Sequence, residues 1–500
     1  MKWQPTMERS TSIQSYYADK TILITGATGF VGSYLVEKLL RSCPDVRRIY
    51  LLIRSKRRKD SESRLEEFLS DAIHNGLKQS NPSVLKKLAV ITGDLELPRL
   101  GLSEVDEEKI VKEVNCIFHV GATVKFTEEL RRAILINIGG TDSLIEIAKK
   151  IEDLKSFVHV STAYSQCIRD IADEAFYVPE ENYTDLITMA NTISNEKLNE
   201  MTPTILGKWP NTYSFTKNIA EDLVRKKGTG LPMVIVRPSI VIAPYREPTT
   251  GWASSYDLTS LLVATINVGV VHTMCCDPKH VVDLVPVDFC VNQAIAAGWA
   301  VGREWSRMSK IPIYNFVSGP RNPITWGLQK DVLERSESAL PSNRKIFHRY
   351  VLYGTNKKML DLVELFYLPL MYIVNLKSFF LGKVHITLKT HRKIREFCKV
   401  VEFASCKEWY FKDDNTQNLW NLLEEEDRDV FCFDINSIDW QTFSDRITKG
   451  VRLYILKDDL STVGRARTRS RLLKILQYFV VSAYVLLPLY IVHRLGTIIL

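Results

Sequence analysis

One stretch near the start, TILITGATGFVGSYLVEKLL at residues 21–40, constrains the fold more than any other. A short run of β-branched and apolar residues leads directly into glycines. The glycines lead into a segment whose apolar residues recur three and four apart, the period of a helix with one buried face. Strand, tight turn and helix are therefore expected in that order. The turn itself reads T-G-x-x-G-x-x-G, from Thr25 through Gly26, Thr28, Gly29, Phe30 and Val31 to Gly32. Gly26 and Gly29 let the backbone turn sharply and approach a pyrophosphate, and Gly32 lets the helix lie close to the strand. The free N–H groups of the helix N-terminus then face the phosphates. A lone glycine triplet carries little information, but one that follows a strand and opens a helix is the context a dinucleotide requires.

The chain beyond this stretch supports the same architecture. RIYLLIR ends on Arg54, and LAVITGDL (88–95), NCIFHVGA (115–122), FVHVSTAY (157–164) and PMVIVRPSIV (232–241) follow as further strands. These runs are almost continuously apolar, as parallel strands covered on both faces are. Helical segments such as TDSLIEIAKK fall between them, so the expected fold class is α/β, a doubly wound parallel Rossmann-type sheet. A second, polar helix is expected over about residues 61–76.

The end of the second strand selects the coenzyme. An acid there bonds the ribose 2′-hydroxyl of NAD, whereas this chain has Arg54, Lys56, Arg57 and Arg58. Guanidinium groups form charge-assisted bonds to phosphate oxygens, so the cluster suits the 2′-phosphate of NADPH. A solvated basic loop is the plainer reading of the same residues. Asp94, at the end of TGDL, is placed to meet the adenine edge or to serve as an ordinary turn carboxylate.

A second motif supplies chemistry. Tyr213 and Lys217 stand four apart in Y-x-x-x-K, so on a helix the phenol and the ammonium share a face. A neighbouring cation is expected to lower the phenol pKa and make Tyr213 a usable acid/base near neutral pH. Upstream, Val160-Ser161-Thr162-Ala163-Tyr164 closes a strand with hydroxyls. Thr162, with Ser161 beside it, is expected to donate to a carbonyl oxygen and stabilise its developing charge; strand-end capping is the other reading of both.

The order of these elements, T-G-x-x-G-x-x-G, strand-end Ser/Thr and Y-x-x-x-K, resembles the extended short-chain dehydrogenase/reductases over roughly residues 20–317. Within that superfamily several stretches are similar to the fatty acyl-CoA reductases. These are ITGATGFVGSYLVEKLLRSCPDVRRIYLLIR, HVGATVKF, FVHVSTAYSQC, RPSIVIAPYREPTTGW, YNFVSG with NPITW, and KEWYFKDDNTQNLW with FDINSIDW. The last resembles the small C-terminal domain typical of that family, so the likeness covers nearly the whole chain.

The resemblance implies an oxidoreductase of lipid metabolism, reducing a fatty acyl-CoA to a primary alcohol through an aldehyde with NADPH. Under it Tyr213 protonates the carbonyl oxygen, Lys217 holds the ribose and tunes Tyr213, and Thr162 steadies the oxyanion. Gly121 and Ala122 lie beside the coenzyme and leave room for it. Where the family often has an acid after an apolar segment, this chain has Leu368-Pro369-Leu370-Met371-Tyr372 and Asn375, a departure that bears on the acyl tunnel and not on the catalytic set. A sterol dehydrogenase of the 3β-hydroxysteroid type and a silent coenzyme- or lipid-binding scaffold are the competing readings. Arg54 speaks against the first, and intact Tyr213, Lys217 and Thr162 against the second.

A chain of 500 residues is larger than one core usually carries. The expected division is a tail at 1–19, a coenzyme-binding catalytic domain at 20–330 and an apolar connector at 331–386. A helical C-terminal domain at 387–458 and a membrane anchor at 472–493 complete it. The anchor rests on ILQYFVVSAYVLLPLYIV (475–492), eighteen residues without a charge, behind the basic stretch RARTRSRLLK. Such a run is long enough for a transmembrane helix, and its basic flank keeps that side cytoplasmic; a buried terminal helix is the alternative. Endoplasmic reticulum and peroxisome are the expected membranes. LVELFYLPLMYIV (362–374) reads as a core helix or a segment that meets membrane or acyl chain. The net charge of +8 is mild and calls for no nucleic-acid partner. Nine cysteines without paired spacing suggest neither a disulfide scaffold nor a zinc site, and no metal is expected.

Overall fold

A computed structural model describes residues 10–56, 59–253, 258–308, 310–380, a few positions between 392 and 399, and 402–499. Arg57 and Arg58 of the basic cluster lie outside the described residues.

Seven parallel strands form the central sheet: β1 (Thr21–Thr25), β2 (Arg48–Ile53), β3 (Leu88–Thr92), β4 (Cys116–His119), β5 (Ser156–Val160), β6 (Met233–Pro238) and β7 (Ile313–Phe316). Their spatial order is β7-β6-β5-β4-β1-β2-β3. The chain thus runs outward from β1 to β3, returns to the other side of β1, and runs outward again. Between β1 and β4 the crossovers leave in opposite directions, and the crevice that opens there at the strands' C-terminal ends is where such sheets bind ligands. In register, Thr25 stands opposite His119 across that pair. Every residue of TILIT is buried, as expected for a central strand packed on both faces. The seventh strand was not anticipated; it is a four-residue edge beside β6, too short to stand out from its surroundings.

The polar stretch after β2 is broken, not one helix. Residues Ser61–Ser70 are helical, a single 3-10 turn follows at Ala72–His74, and helix resumes at Asn75–Ser80. The break has a local cause: Asp71 leaves helical geometry, and its carboxylate accepts from the Ile73 N–H, an Asx turn competing with the helix ladder.

Two compact units divide the chain, and they interleave. The first comprises the chain up to Thr249 with Val281–Ile324 and Glu408–Ile438, and the second comprises Thr250–His280, Thr325–Lys407 and Asp439–Leu500. Residues 387–458, expected as one domain, are therefore shared between the units. The reason is a set of polar ties. Glu174 accepts from the backbone N–H of Asn315 and Thr416, and the Asn315 amide donates to the Lys412 carbonyl at 2.7 Å. Tyr410–Phe411 pairs as a short strand with Ile171–Ala172. This segment is stitched to the edge of the sheet.

The second unit is mainly helical. Helix Trp326–Ala339 lies against Trp440–Gly450, where Ser336 Oγ donates to Asp445 and Arg335 to Gln441. A pair of three-residue strands, Thr273–Cys275 and Leu352–Gly354, adds a small β element. The apolar run at 362–374 lies in helix Lys357–Phe380, where Tyr367 and Met371 are buried and Leu362, Leu365 and Tyr372 are exposed. The C-terminal residues Val463–Ile499 form one 37-residue helix, and Gln477 donates to the Tyr367 hydroxyl at 2.8 Å. No helix among the described residues is long and apolar enough to cross a membrane. Much of the run at 475–492 lies outside the residues whose side chains are described.

Candidate active site

The glycine turn has the geometry its spacing requires. Gly26 adopts φ +70°, and a Cβ there would stand 2.6 Å from the backbone of Gly121. A Cβ on Gly32 would stand 2.2 Å from the Gly26 carbonyl oxygen, so the helix Phe30–Ser42 can sit this near the strand only with glycine at that position. No side chain caps that helix. Ala27 and Gly32 are buried, whereas Gly26, Thr28, Gly29, Phe30 and Val31 keep open surface. An open rim of backbone at an uncapped helix N-terminus, packed too closely for a Cβ at Gly26 or Gly32, fits a dinucleotide pyrophosphate.

Thr25 explains why Gly121 is held there. Thr141 Oγ1 donates its one proton to the Asn137 carbonyl at 2.7 Å, so at its 2.9 Å contact with His119 Nε2 it must accept. His119 therefore carries its proton on Nε2, and Nδ1 accepts from the Thr25 hydroxyl at 2.7 Å. Thr25 Oγ1 in turn accepts from the Gly121 N–H at 3.0 Å. Burial, reinforced by the charge of Lys217, brings the His119 imidazole down to about 3, so the ring stays neutral and the chain of donors keeps one direction. This chain fixes the end of β4, with Gly121 and Ala122, against the end of β1.

At the end of β2, Arg54 lies 3.6 Å from Asp94, and the Asp94 carboxylate also accepts from the Glu96 N–H at 3.1 Å. Asp94 is thus engaged with its own turn and with Arg54. Arg64, which sequence reasoning passed over, reaches back from the next helix. Its guanidinium donates to the Arg54 carbonyl and, at 3.4 Å, to the Thr28 hydroxyl. Lys56 exchanges backbone hydrogen bonds with Lys59 in a tight loop. The Arg64 guanidinium thus reaches the glycine turn, while Arg54 and Lys56 follow the end of β2 in sequence.

The Tyr213 helix runs Thr212–Lys227, capped by Asn211, whose side chain accepts from the Ser214 N–H at 2.8 Å. Tyr213, Lys217 and Glu221 follow one another at four-residue intervals and so share a face. Lys217 is buried and donates to the Val160 carbonyl at 2.7 Å, with His159 Nε2 at 3.4 Å. Burial brings its ammonium down to about 8, against the upward pull of Glu221. The Tyr213 phenol was expected to be lowered by that ammonium, and it is not. Burial pushes it up to about 12, and the opposing influence is its hydrogen bond with Thr162. The ammonium serves the end of β5 instead of the phenol, which leaves Tyr213 protonated at neutral pH as a proton donor.

The two strand-end hydroxyls part company. Thr162 Oγ1 accepts from the Tyr164 N–H at 3.2 Å and meets Tyr213. Ser161 turns the other way and donates to Glu221. That carboxylate also takes Ser165 at 2.8 Å and both the Nε and Nη2 of Arg237, at 3.0 and 2.7 Å. Arg237 is wholly buried, and its remaining donors reach the carbonyls of Asp173 and Ala175. Ser161 therefore belongs to an internal ion-pair network, and Thr162 is the hydroxyl beside the phenol.

Asn137 is a further residue the sequence did not reveal. It sits in a π-helical turn, Ile134–Gly139, and its amide donates to Thr216 Oγ1 at 2.9 Å and to the Thr123 carbonyl at 3.2 Å. Its side-chain Oδ1 accepts from the Thr123 N–H. It ties the Tyr213 helix to the segment that leaves β4. An i→i+5 turn of this kind often marks a functional position.

A strand order that reverses beside a glycine cradle, with a Tyr–Lys helix at the same sheet end, is that of a nicotinamide-dependent oxidoreductase. Comparison narrows the class. Two family models, each described as male sterility protein, match residues 24–294 and 365–458. The fatty acyl-CoA reductase wat of Drosophila melanogaster is 34% identical over 97% of this chain and 93% of its own length. Fatty acyl-CoA reductase 1 of Rattus norvegicus is 36% identical, over 93% and 90% respectively. The chain belongs to the fatty acyl-CoA reductase family. Among solved structures, the reductase domain of a nonribosomal peptide synthetase from Mycobacterium tuberculosis matches with a TM-score of 0.57 at 19% identity, covering 89% of this chain and 96% of that one. The terminal R domain of the myxalamid pathway matches with 0.55 at 20%, covering 87% and 91%. Both share the fold.

Proposed function

We propose that the chain reduces long-chain fatty acyl-CoA to the primary alcohol, through the aldehyde, with NADPH. The glycine cradle, from Thr25 to Gly32, would hold the pyrophosphate, and Gly121 and Ala122 would leave room at the nicotinamide side. Arg54, Lys56 and Arg64 would take the 2′-phosphate, and Lys217 the ribose hydroxyls. Bound there, the coenzyme would supply hydride, once to the thioester and once to the aldehyde.

The chain's own groups do the rest. Tyr213 keeps its proton at neutral pH and places it on the substrate oxygen. Thr162 donates to the phenol in the free enzyme, and its single proton would turn to the substrate oxygen as negative charge develops there. Lys217, charged below about pH 8, adds a positive field from one helical turn away.

The observation that carries this reading is the Tyr213–Thr162 pair, one turn from Lys217, in a chain similar along nearly its whole length to fatty acyl-CoA reductases. The C-terminal helix is assigned the role of membrane anchor at the endoplasmic reticulum or peroxisome, with the catalytic part cytoplasmic. Acyl chains and fatty alcohols partition into bilayers, at about 0.8 kcal/mol per methylene, so an anchored enzyme works beside its substrate.

The test is purified full-length protein supplied with a ladder of acyl-CoAs. Product mass spectrometry should find fatty alcohol, with roughly two NADPH consumed per alcohol, one for each hydride. Absence of turnover across medium to very long chains would end the proposal.

A further inference from the structure

Three side chains of the second unit come together without any sequence spacing to announce them. Cys275 ends the strand Thr273–Cys275, and Cys406 follows it by 131 positions. Their sulfurs stand 3.5 Å apart, well beyond the roughly 2.05 Å of a disulfide. Glu402 joins them, and the sulfurs and a carboxylate oxygen all lie within 4.8 Å of one another. The local frame is fixed by backbone. Cys406 N–H donates to the Glu402 carbonyl at 2.9 Å, one helical turn that puts both side chains on one face. Between them Ser405 donates to the Cys275 carbonyl at 2.6 Å and accepts from the Asp277 N–H at 3.2 Å. All three ligand residues keep some exposure to solvent.

We propose that Cys275, Cys406 and Glu402 form a binding site for a thiophilic divalent cation of the zinc class. Two thiolates bound at about 2.3 Å to a tetrahedral zinc ion stand about 3.8 Å apart, close to the separation already present. A carboxylate completes three protein ligands and leaves one position for water. Charge favours the same reading. Two thiolates, a carboxylate and a dication sum to minus one, and the Lys357 ammonium, ion-paired with Glu402, restores neutrality. On binding, both thiol protons leave to solvent. The ion would clamp the strand at 273–275 to the turn at 402–406 in the second unit, independently of coenzyme or substrate. The spacing rules for zinc ligands look for neighbouring pairs, which is why this site was invisible in the sequence.

The experiment uses the full chain, reduced, stripped with chelator and titrated with cobalt(II) alone in place of zinc. The wild type should take one ion per chain, with a thiolate-to-cobalt charge-transfer band and the d–d envelope of a tetrahedral site. Cys275→Ser and Cys406→Ser should each abolish that band, Glu402→Gln should shift the envelope and weaken binding, and Cys290→Ser, a buried control, should change nothing. Zinc should raise the melting temperature of the wild type and not of Cys406→Ser. A wild type that takes up no cobalt overturns the proposal. So does uptake that persists in the double cysteine variant.

Discussion

The two halves of the crevice are built by different means. On the β1–β2–β3 side the coenzyme cradle is made of backbone: a turn at φ +70°, an uncapped helix and two glycines that no side chain could replace. On the β4–β5–β6 side the groups proposed to react are side chains, and each is held by partners distant in sequence. His119 is fixed by Thr25 and Thr141, Lys217 by Val160, Tyr213 by Thr162, and Glu221 by Arg237. The lesson is that binding here rests on local geometry, whereas reactivity rests on tertiary contacts. Changes on the first side should therefore act on coenzyme affinity, and changes on the second on rate and its pH dependence.

The largest effect should come from the second side. Tyr213→Phe removes the proton donor and keeps the ring, so kcat should fall by about 10²–10⁴. Coenzyme affinity, followed by fluorescence titration, should stay near that of the wild type. If kcat survives, the division between the halves is wrong at its centre.

The next effect belongs to the first side. Gly26→Ala forces a Cβ to within 2.6 Å of the Gly121 backbone at a left-handed φ. Strain of that kind costs on the order of 1–3 kcal/mol, so coenzyme affinity should fall about ten- to a hundredfold. The rate at saturating coenzyme should change far less. A smaller effect tests the choice of coenzyme: Arg54→Ala should raise the KM for NADPH about tenfold, the loss of one charge-assisted bond to phosphate, and leave the KM for NADH unchanged. Equal effects on both would assign Arg54 to its pairing with Asp94 alone.

The same contrast decides how much could be read beforehand. The glycine turn, the first six strands and the Y-x-x-x-K face were legible because each is contiguous or set by a short period. Thr162 was also legible, as a hydroxyl closing a strand. The meeting of Thr162 with Tyr213 was expected as well; what escaped was the network of partnerships around them. Ser161 and Thr162 are adjacent and chemically alike, and only the position of Glu221 shows that one faces inward. The four-residue rhythm of Tyr213 and Lys217 does continue to Glu221, and that was the available signal. Nothing near Asn137 announces a π-turn. The expected lowering of the Tyr213 phenol failed for the same reason: helical spacing shows that Lys217 shares its face, not that the ammonium is spent on the Val160 carbonyl.

Glu221 allows the finest test of the tertiary half. Lys217 is brought down to about 8 by burial, and Glu221 is what holds it from falling further. Because kcat/KM reports groups of the free enzyme, its alkaline limb should fall near pH 8 as Lys217 loses its proton. Glu221→Gln removes the carboxylate charge and keeps an acceptor for Arg237, which retains the carbonyls of Asp173 and Ala175. Burial then acts on Lys217 unopposed, so its proton is lost at lower pH and the limb should move to the acid side. Near neutrality this is a change of only a few-fold in rate, far below that of Tyr213→Phe. Thermal denaturation will show separately what the buried ion pair contributes to folding. A limb that stays in place while the melting temperature drops would make Glu221 a structural partner of Arg237 alone, with no influence on the ammonium one turn away.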